Sequence, residues 1–393
     1  MDTFSFSPTP QLHFGTGKIS VLPAIAKQFG TKVLLITGAR SFHASTYSLT
    51  LLDHLNDAGL AVELCVIEKE PTPTMVDTAV VNFSTFKPDV LVAIGGGSVL
   101  DAGKAISAMI HLNTTIKDYL EGVGRKLSHP GTKVPFIAVP TTSGTGSEAT
   151  KNAVLSEIGP SGFKRSLRHN NFVPNVAIID PLLSISCPPS ITAASGMDAF
   201  TQLLESYLST TANPITDALA YEGLKLVSTS LLKTYHEGDS TEARTNMALA
   251  SYLSGITLAN AGLGLVHGFA SSIGGYFDIS HGVICSSLMA AVNTVTVRKL
   301  LSTRGNQVAI QKYATIGKLF STVKNKSEQY YFDSLLEVIT MWTNQMRIPT
   351  LAQSGVRPVD YDKIIQVTDN KNNPTKLNPD EMREVLDIAC NRP

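Results

Sequence analysis

Apolar and polar positions divide the chain into two parts with different periods. Up to about residue 184, short runs of aliphatic and β-branched residues recur: KVLLIT at 32–37, AVELCVI at 61–67, PDVLVAI at 88–94, KVPFIAVP at 133–140 and NVAIID at 175–180. Most of these runs lack the in–out alternation of a half-exposed strand, so they fit strands buried on both faces. Helical spacing fills the gaps between them, as in KISVLPAIAKQFG, which ends at Gly30, and TYSLTLLDHLNDAGL. FSFSPTPQLHFGTG at 4–17 alternates in places like an extended strand or a hairpin. Alternating strands and helices predict a mostly parallel sheet wrapped by helices. PLLSISCPPSIT is a proline-marked passage out of that pattern. From Ser190 onward amphipathic helices take over, among them TDALAYEGLKLVSTSLLKTY, RTNMALASYLSGITLANAG and YFDSLLEVITMWTNQM. The expected fold is α/β plus all-α: an N-terminal Rossmann-like, mostly parallel sheet domain over 1–184 and a C-terminal helical domain over 185–393.

Chemistry enters at the breaks in this pattern. The run at 88–94 feeds Gly95-Gly96-Gly97-Ser98 and then a helix bearing Asp101 and Lys104 on its first turns. A strand, a glycine turn and a helix start present free N–H groups and a positive dipole end to a pyrophosphate. The spacing is not GxGxxG, so the ordinary dinucleotide fingerprint is absent. PTTSGTGSEAT at 140–150 follows another buried run, and Thr141, Thr142, Thr145 and Ser147 can wrap a nucleotide with hydroxyl and backbone donors, or form a plain polar loop. In the helical part, Asp198, Gln202 and Glu205 share one face of a helix, while His267 and His281 lie in apolar runs. Two histidines and a carboxylate in such surroundings either pair locally within a core or hold a metal.

Composition narrows the classes. Lys+Arg 32 balances Asp+Glu 32, so no strong field invites nucleic acid or an anionic membrane. Cys65, Cys187, Cys285 and Cys390 form neither a CxxC pair nor a disulfide framework, which fits a reducing cytoplasm. No export-type N-terminus and no run of about 18 apolar residues is visible, so a cytoplasmic protein is expected.

EPTPT (70–74), GGGSVLDAGKAI (95–106), PTTSGTGSEAT, the Lys164 segment, NVAIIDP (175–181), ASGMDAFTQLLESYLS (194–209), LVHGFASSIGG (265–275) and SHGV (280–283) are collinear, and over almost the whole chain this sequence resembles the iron-containing (group III) alcohol dehydrogenase family. The resemblance implies NAD(P)-dependent, metal-assisted hydride transfer between an alcohol and its aldehyde or ketone, with a small-molecule substrate and a homodimer as partners. It implies a divalent metal, Fe2+ or Zn2+, at Asp198, His267, His281 and Gln202, the last standing where the family commonly has histidine. A carboxamide oxygen is a weaker donor than imidazole, so weaker metal retention is expected. It places Thr72, Asp101 and Lys164 at cofactor contacts, beside Gly96, Gly97 and Ser98 of the turn. Where the family often carries an aspartate for the adenosine ribose, this chain has Gly38 with Arg40 two residues on; this removes a repulsion toward a 2′-phosphate and predicts that NADP(H) is accepted at least as readily as NAD(H). Ser271 occupies the place of a family histidine regarded as a proton carrier, and a serine passes a proton only along hydroxyls and waters. Two other classes compete: a lyase-type relative of the dehydroquinate synthase-like fold, whose polar substrate calls for several cleft lysines and arginines where 198–281 carries Lys225, Lys233 and Arg244, and a non-catalytic nucleotide-binding protein with a degraded site.

Overall fold

A computed structural model of the chain describes residues 3–39, 42 and 47–392. It divides into two compact units, one of residues 6–157 and 164–187, the other of residues 158–163 and 188–392 with the first described residues. The boundary falls after Cys187, a few residues beyond the expected 184. The excursion 158–163 counts with the helical unit, where Gly159 N donates to Gly275 O at 3.2 Å.

The sheet unit runs β1 (Gln11–Phe14), α1 (Leu22–Lys27), β2 (Lys32–Gly38), α2 (Tyr47–Asp57), β3 (Ala61–Ile67), α3 (Pro73–Phe83), β4 (Val90–Gly95), α4 (Gly97–Met109), β5 (Phe136–Pro140), β6 (Asn152–Glu157), β7 (Phe163–Arg168) and β8 (Val176–Ile179). Six strands pair in the order β1-β8-β5-β4-β2-β3, every pair parallel. The four central strands are almost completely buried, which explains their unbroken apolar runs. The N-terminal segment supplies one parallel edge strand rather than a hairpin, with Gln11 opposite Val176. β6 and β7 form a separate two-stranded sheet in a stretch whose polar, glycine-containing sequence carries no strand pattern.

Strand order positions the chemistry. From β2 the chain goes out to β3 on one side and returns to β4 on the other, so the order reverses between β2 and β4. Open α/β sheets bind ligands outside the carboxyl ends of the strands at such a reversal. Register puts Thr37 opposite Ile94 and Gly95 opposite Pro140, so Gly38, the glycine turn and the Thr141 loop all leave the same edge.

The helical unit contains α5 (Pro189–Leu208), α6 (Pro214–His236), α7 (Thr241–Ala261), α8 (Leu265–Tyr276), α9 (His281–Ser302), α10 (Gln307–Phe320), α11 (Glu328–Gln345), α12 (Tyr361–Val367) and α13 (Pro379–Cys390). Two of their starts carry reciprocal capping boxes, Asn213 with Thr216 at α6 and Asn378 with Glu381 at α13, each followed by proline at the first helical position, while Ser280 precedes α9 without a side-chain cap bond. One core gathers Phe200, Leu203, Leu224, Met247 and Trp342; a second gathers Val266, Phe269, Leu288, Tyr361 and Leu386. α9 is long and apolar enough to cross a membrane, but most of it is buried inside the protein, as suits a core helix.

Candidate active site

Helix α5 presents Asp198, Gln202 and Glu205 from one buried face. Glu205 links that face to α8 twice. Its Oε1 accepts from Val266 N at 2.7 Å, satisfying a free N–H at the start of α8, and its Oε2 accepts from His267 Nδ1 at 2.6 Å. A Cβ on Gly264 would stand 2.9 Å from Glu205 Oε1, so glycine there admits the carboxylate. With Nδ1 committed to Glu205, Nε2 is the ring nitrogen that points into the cluster.

Four donor atoms converge there. Asp198 Oδ1 is 3.5 Å from His267 Nε2 and 3.7 Å from His281 Nε2, and Cys285 Sγ is 3.7 and 3.6 Å from the same two nitrogens. All four atoms lie within 4.8 Å of one another. Asp198 Oδ1 is buried and makes no hydrogen bond. A carboxylate oxygen sealed from water without a donor is costly unless a cation meets it. Metal bonds of about 2.0–2.1 Å to nitrogen and oxygen and about 2.3 Å to sulfur give tetrahedral edges of about 3.3–3.6 Å, close to the observed separations. The donor set therefore fits a divalent metal. His281 is the member that solvent reaches, its side chain 25 % exposed against 5 % for His267 and 2 % for Asp198.

Electrostatics agree. Burial opposes charge on Asp198, yet His281 and His267 hold its carboxyl below the ordinary carboxylate value. Burial likewise opposes charge on His267, but the surrounding Cys285, Glu205 and Asp198 raise it well above the ordinary imidazole value. Burial pushes the Cys285 thiol up to about 11. These are the signs of a pocket with a negative excess that a cation balances.

Two of the sequence-identified residues have their polar groups engaged within the helical unit. Gln202 turns its amide nitrogen toward Asp198 Oδ2 at 3.2 Å, and its Oε1 lies 2.9 Å from the Ser254 hydroxyl. That orientation avoids setting lone pair against lone pair, and it leaves the carboxamide oxygen facing away from the carboxylate. The Ser271 hydroxyl donates to the His267 carbonyl at 2.9 Å, along its own helix. Glu205 was visible in sequence only as a third residue on the Asp198 face. Cys285 was placed among scattered thiols, although its position one turn after His281 was the available signal.

In the sheet unit, the glycine turn and the threonine loop come together. Gly96 is the N-cap of α4 and makes no side-chain cap bond. A Cβ on Gly97 would collide with Thr145 Cγ2 at 2.6 Å, and one on Gly96 would meet Thr142 Oγ1 at 3.3 Å. The glycines thus let the loop close over the turn. Gly96, Gly97, Ser98, Thr142 and Thr145 are all half-buried, whereas Thr141 and Ser147 are buried. Ser147 serves the interior: its hydroxyl donates to Asp101 Oδ1 at 2.5 Å, and Asp101 Oδ2 accepts from Val154 N at 3.1 Å. Lys104 Nζ, buried, donates to Ser147 O, Ser147 Oγ, Thr150 Oγ1 and Asn152 O at 2.7–3.1 Å. Thr72 caps α3 by accepting from Met75 N at 3.2 Å. Lys164 pairs with Glu70 at 2.7 Å. Gly38 closes β2 opposite Ile67, and Arg40 lies outside the described residues.

A family model described as iron-containing alcohol dehydrogenase matches residues 8–181, and a second, described as the Fe-containing alcohol dehydrogenase family, C-terminal, matches residues 192–390. The chain is similar to the NADPH-dependent butanol dehydrogenase of Clostridium saccharobutylicum, with 31 % identity over 395 residues covering 98 % of this chain and 97 % of that protein. It is similar to the 1,3-propanediol dehydrogenase of Klebsiella pneumoniae at 33 % identity, covering 95 % of each. Among solved structures, 1,3-propanediol oxidoreductase matches with a TM-score of 0.88 at 31 % identity over 99 % of this chain and 100 % of that one.

Proposed function

The chain belongs to the iron-containing alcohol dehydrogenase family, and from that premise we propose that Asp198, His267 and His281 hold the catalytic divalent metal of an NAD(P)-dependent alcohol and aldehyde oxidoreductase. The observation that carries the assignment is Asp198 Oδ1, buried without a hydrogen bond and facing two imidazole nitrogens. When bound, the metal supplies Lewis acidity toward the substrate oxygen. The nicotinamide supplies or accepts the hydride.

The protein's own part follows from its geometry. Glu205 fixes the His267 tautomer and keeps Nε2 as a donor. His281, the solvent-reached member, marks the side from which a small alcohol or aldehyde enters. In the sheet unit, Gly96, Gly97 and Ser98 offer main-chain N–H groups at the start of α4 to the pyrophosphate, with Thr141, Thr142 and Thr145 beside them. Gly38, at the strand-order reversal and without a carboxylate, suits a cofactor carrying a 2′-phosphate as well as one without it. The substrate class we favour is a primary alcohol or its aldehyde, as in the named butanol and 1,3-propanediol relatives. A homodimer is supported by the exposed edge strand β1, whose outer main-chain groups suit strand pairing. A reducing cytoplasmic setting is supported by four cysteines that form no disulfide.

Nicotinamide absorbance followed against a panel of primary alcohols and aldehydes, with both nucleotides, tests this reading. Turnover should vanish on exhaustive chelation and return with added Zn2+ or Fe2+, and His267→Ala should lose both metal and turnover. Full activity in protein shown metal-free by elemental analysis would overturn it.

A further inference from the structure

Resting on the reading that Asp198, His267 and His281 hold a metal, we propose that the thiolate of Cys285, and not the carboxamide of Gln202, is the fourth protein ligand. Cys285 is one helical turn beyond His281 on α9, so the two side chains leave the same face. Its Sγ completes the group of four donor atoms and stands 3.6–3.7 Å from both imidazole nitrogens, the spacing expected across a tetrahedral edge that includes sulfur. Cys285 is fully buried at the edge of the Val266, Phe269 and Leu288 core, with its Sγ turned to the two ring nitrogens. The rival donor has partners of its own: Gln202 Nε2 lies 3.2 Å from Asp198 Oδ2 and Oε1 lies 2.9 Å from the Ser254 hydroxyl, so the amide has to turn over before it offers oxygen to a cation. Buried Asp198 Oδ1, with no hydrogen bond, faces the same point from the opposite helix.

Binding then proceeds with a balanced exchange: the metal–sulfur bond forms as the thiol S–H breaks, and its proton passes to buffer with no change in oxidation state. A thiolate in the set also shifts selectivity from an oxygen-preferring ion toward a softer one, zinc before magnesium or manganese.

Cobalt(II) makes the ligand visible, because thiolate bonded to cobalt gives a near-ultraviolet charge-transfer band that carboxylate and imidazole do not. The full-length protein, reduced and stripped of metal, is titrated anaerobically with CoCl2 while absorbance is recorded and bound cobalt counted. Wild type should take one cobalt with the band. Cys285→Ser should lose the band and bind at least about tenfold more weakly, and Gln202→Ala should keep the band. One bound cobalt without the band, or a band that persists in Cys285→Ser, overturns the thiolate ligand and leaves the three-residue metal site standing. Failure of wild type to bind cobalt, zinc or iron overturns both. The wild-type spectrum decides even where a variant folds poorly.

Discussion

Glu205 sets the direction of the His267 ring. Its two oxygens accept from Val266 N and His267 Nδ1, so replacing one oxygen by an amide group leaves one donor facing a donor. Glu205→Gln is expected to weaken metal binding by about 10- to 100-fold, measured by chelator competition; unchanged affinity would show that His267 is oriented by other means. Gly38 is the second residue whose role turns on an absent group. A carboxylate at the end of β2 would accept from ribose hydroxyls and repel a 2′-phosphate, so Gly38→Asp should move the ratio of kcat/KM for NADP(H) over NAD(H) down by about tenfold or more, worth about 1.4 kcal/mol. An unchanged ratio places the adenosine ribose elsewhere. At this scale the sequence displayed Asp198, His267 and His281 because polar residues in apolar runs stand out. It hid Cys285, since a thiol in an apolar run looks like any small core residue, and only the helical register with His281 reveals it.

Between elements, the first turns of α4, the 3-10 turn Ser147–Ala149 and β6 are joined by one buried cation. Lys104 gives hydrogen bonds to four oxygens, two of them main-chain carbonyls. Lys104→Met keeps the length and removes every donor, so it should cost about 3–5 kcal/mol in urea unfolding; a loss below about 1 kcal/mol would mean water takes over the oxygens. Glu148, in the same turn, is buried, and burial raises its pKa to about 7. Unfolded, it titrates near 4.5. Between these values the folded chain holds the extra proton, so this group makes stability fall as pH rises from about 4.5 to about 7. Lys104, pushed down by burial to about 8, has the opposite sign: the unfolded chain holds the extra proton up to about 10.5, so stability recovers with pH above 8. Glu148→Gln should remove the acid-side slope, as read from unfolding midpoints across pH 4.5–8. A slope identical to wild type would show that Glu148 is charged throughout. The glycine turn and α4 were legible in sequence, because strand, turn and helix have distinct periods. β6 and β7 were not: NAVLSE and FKRSLR mix charge and apolar residues without a clean alternation, and β6 finds its place by packing on α3 and α4, which its own pattern does not announce.

For the whole molecule, the two proposed ligands fall on two units, each with its own core. A ligand stabilises what it binds by RT ln(1 + [L]/Kd), about 2.7 kcal/mol at one hundred times Kd. The proposed metal ligands come from α5, α8 and α9, and Asp198 and His267 are buried there. Stripping the metal also leaves the Asp198 carboxylate without its counter-charge, so local opening should fall most in cost there. Hydrogen exchange, read peptide by peptide, should therefore accelerate in 196–208, 265–276 and 281–292 after chelation, while the β2, β4 and β5 peptides keep their rates. Adding NADP(H) to the stripped protein should do the converse, slowing exchange in 95–101 and 141–147 with no recovery in α8. A uniform change over both units on chelation would place the metal's stabilising contacts outside the Asp198 cluster, and protection of α8 by the nucleotide alone would show that the two binding sites are linked through the fold rather than acting separately.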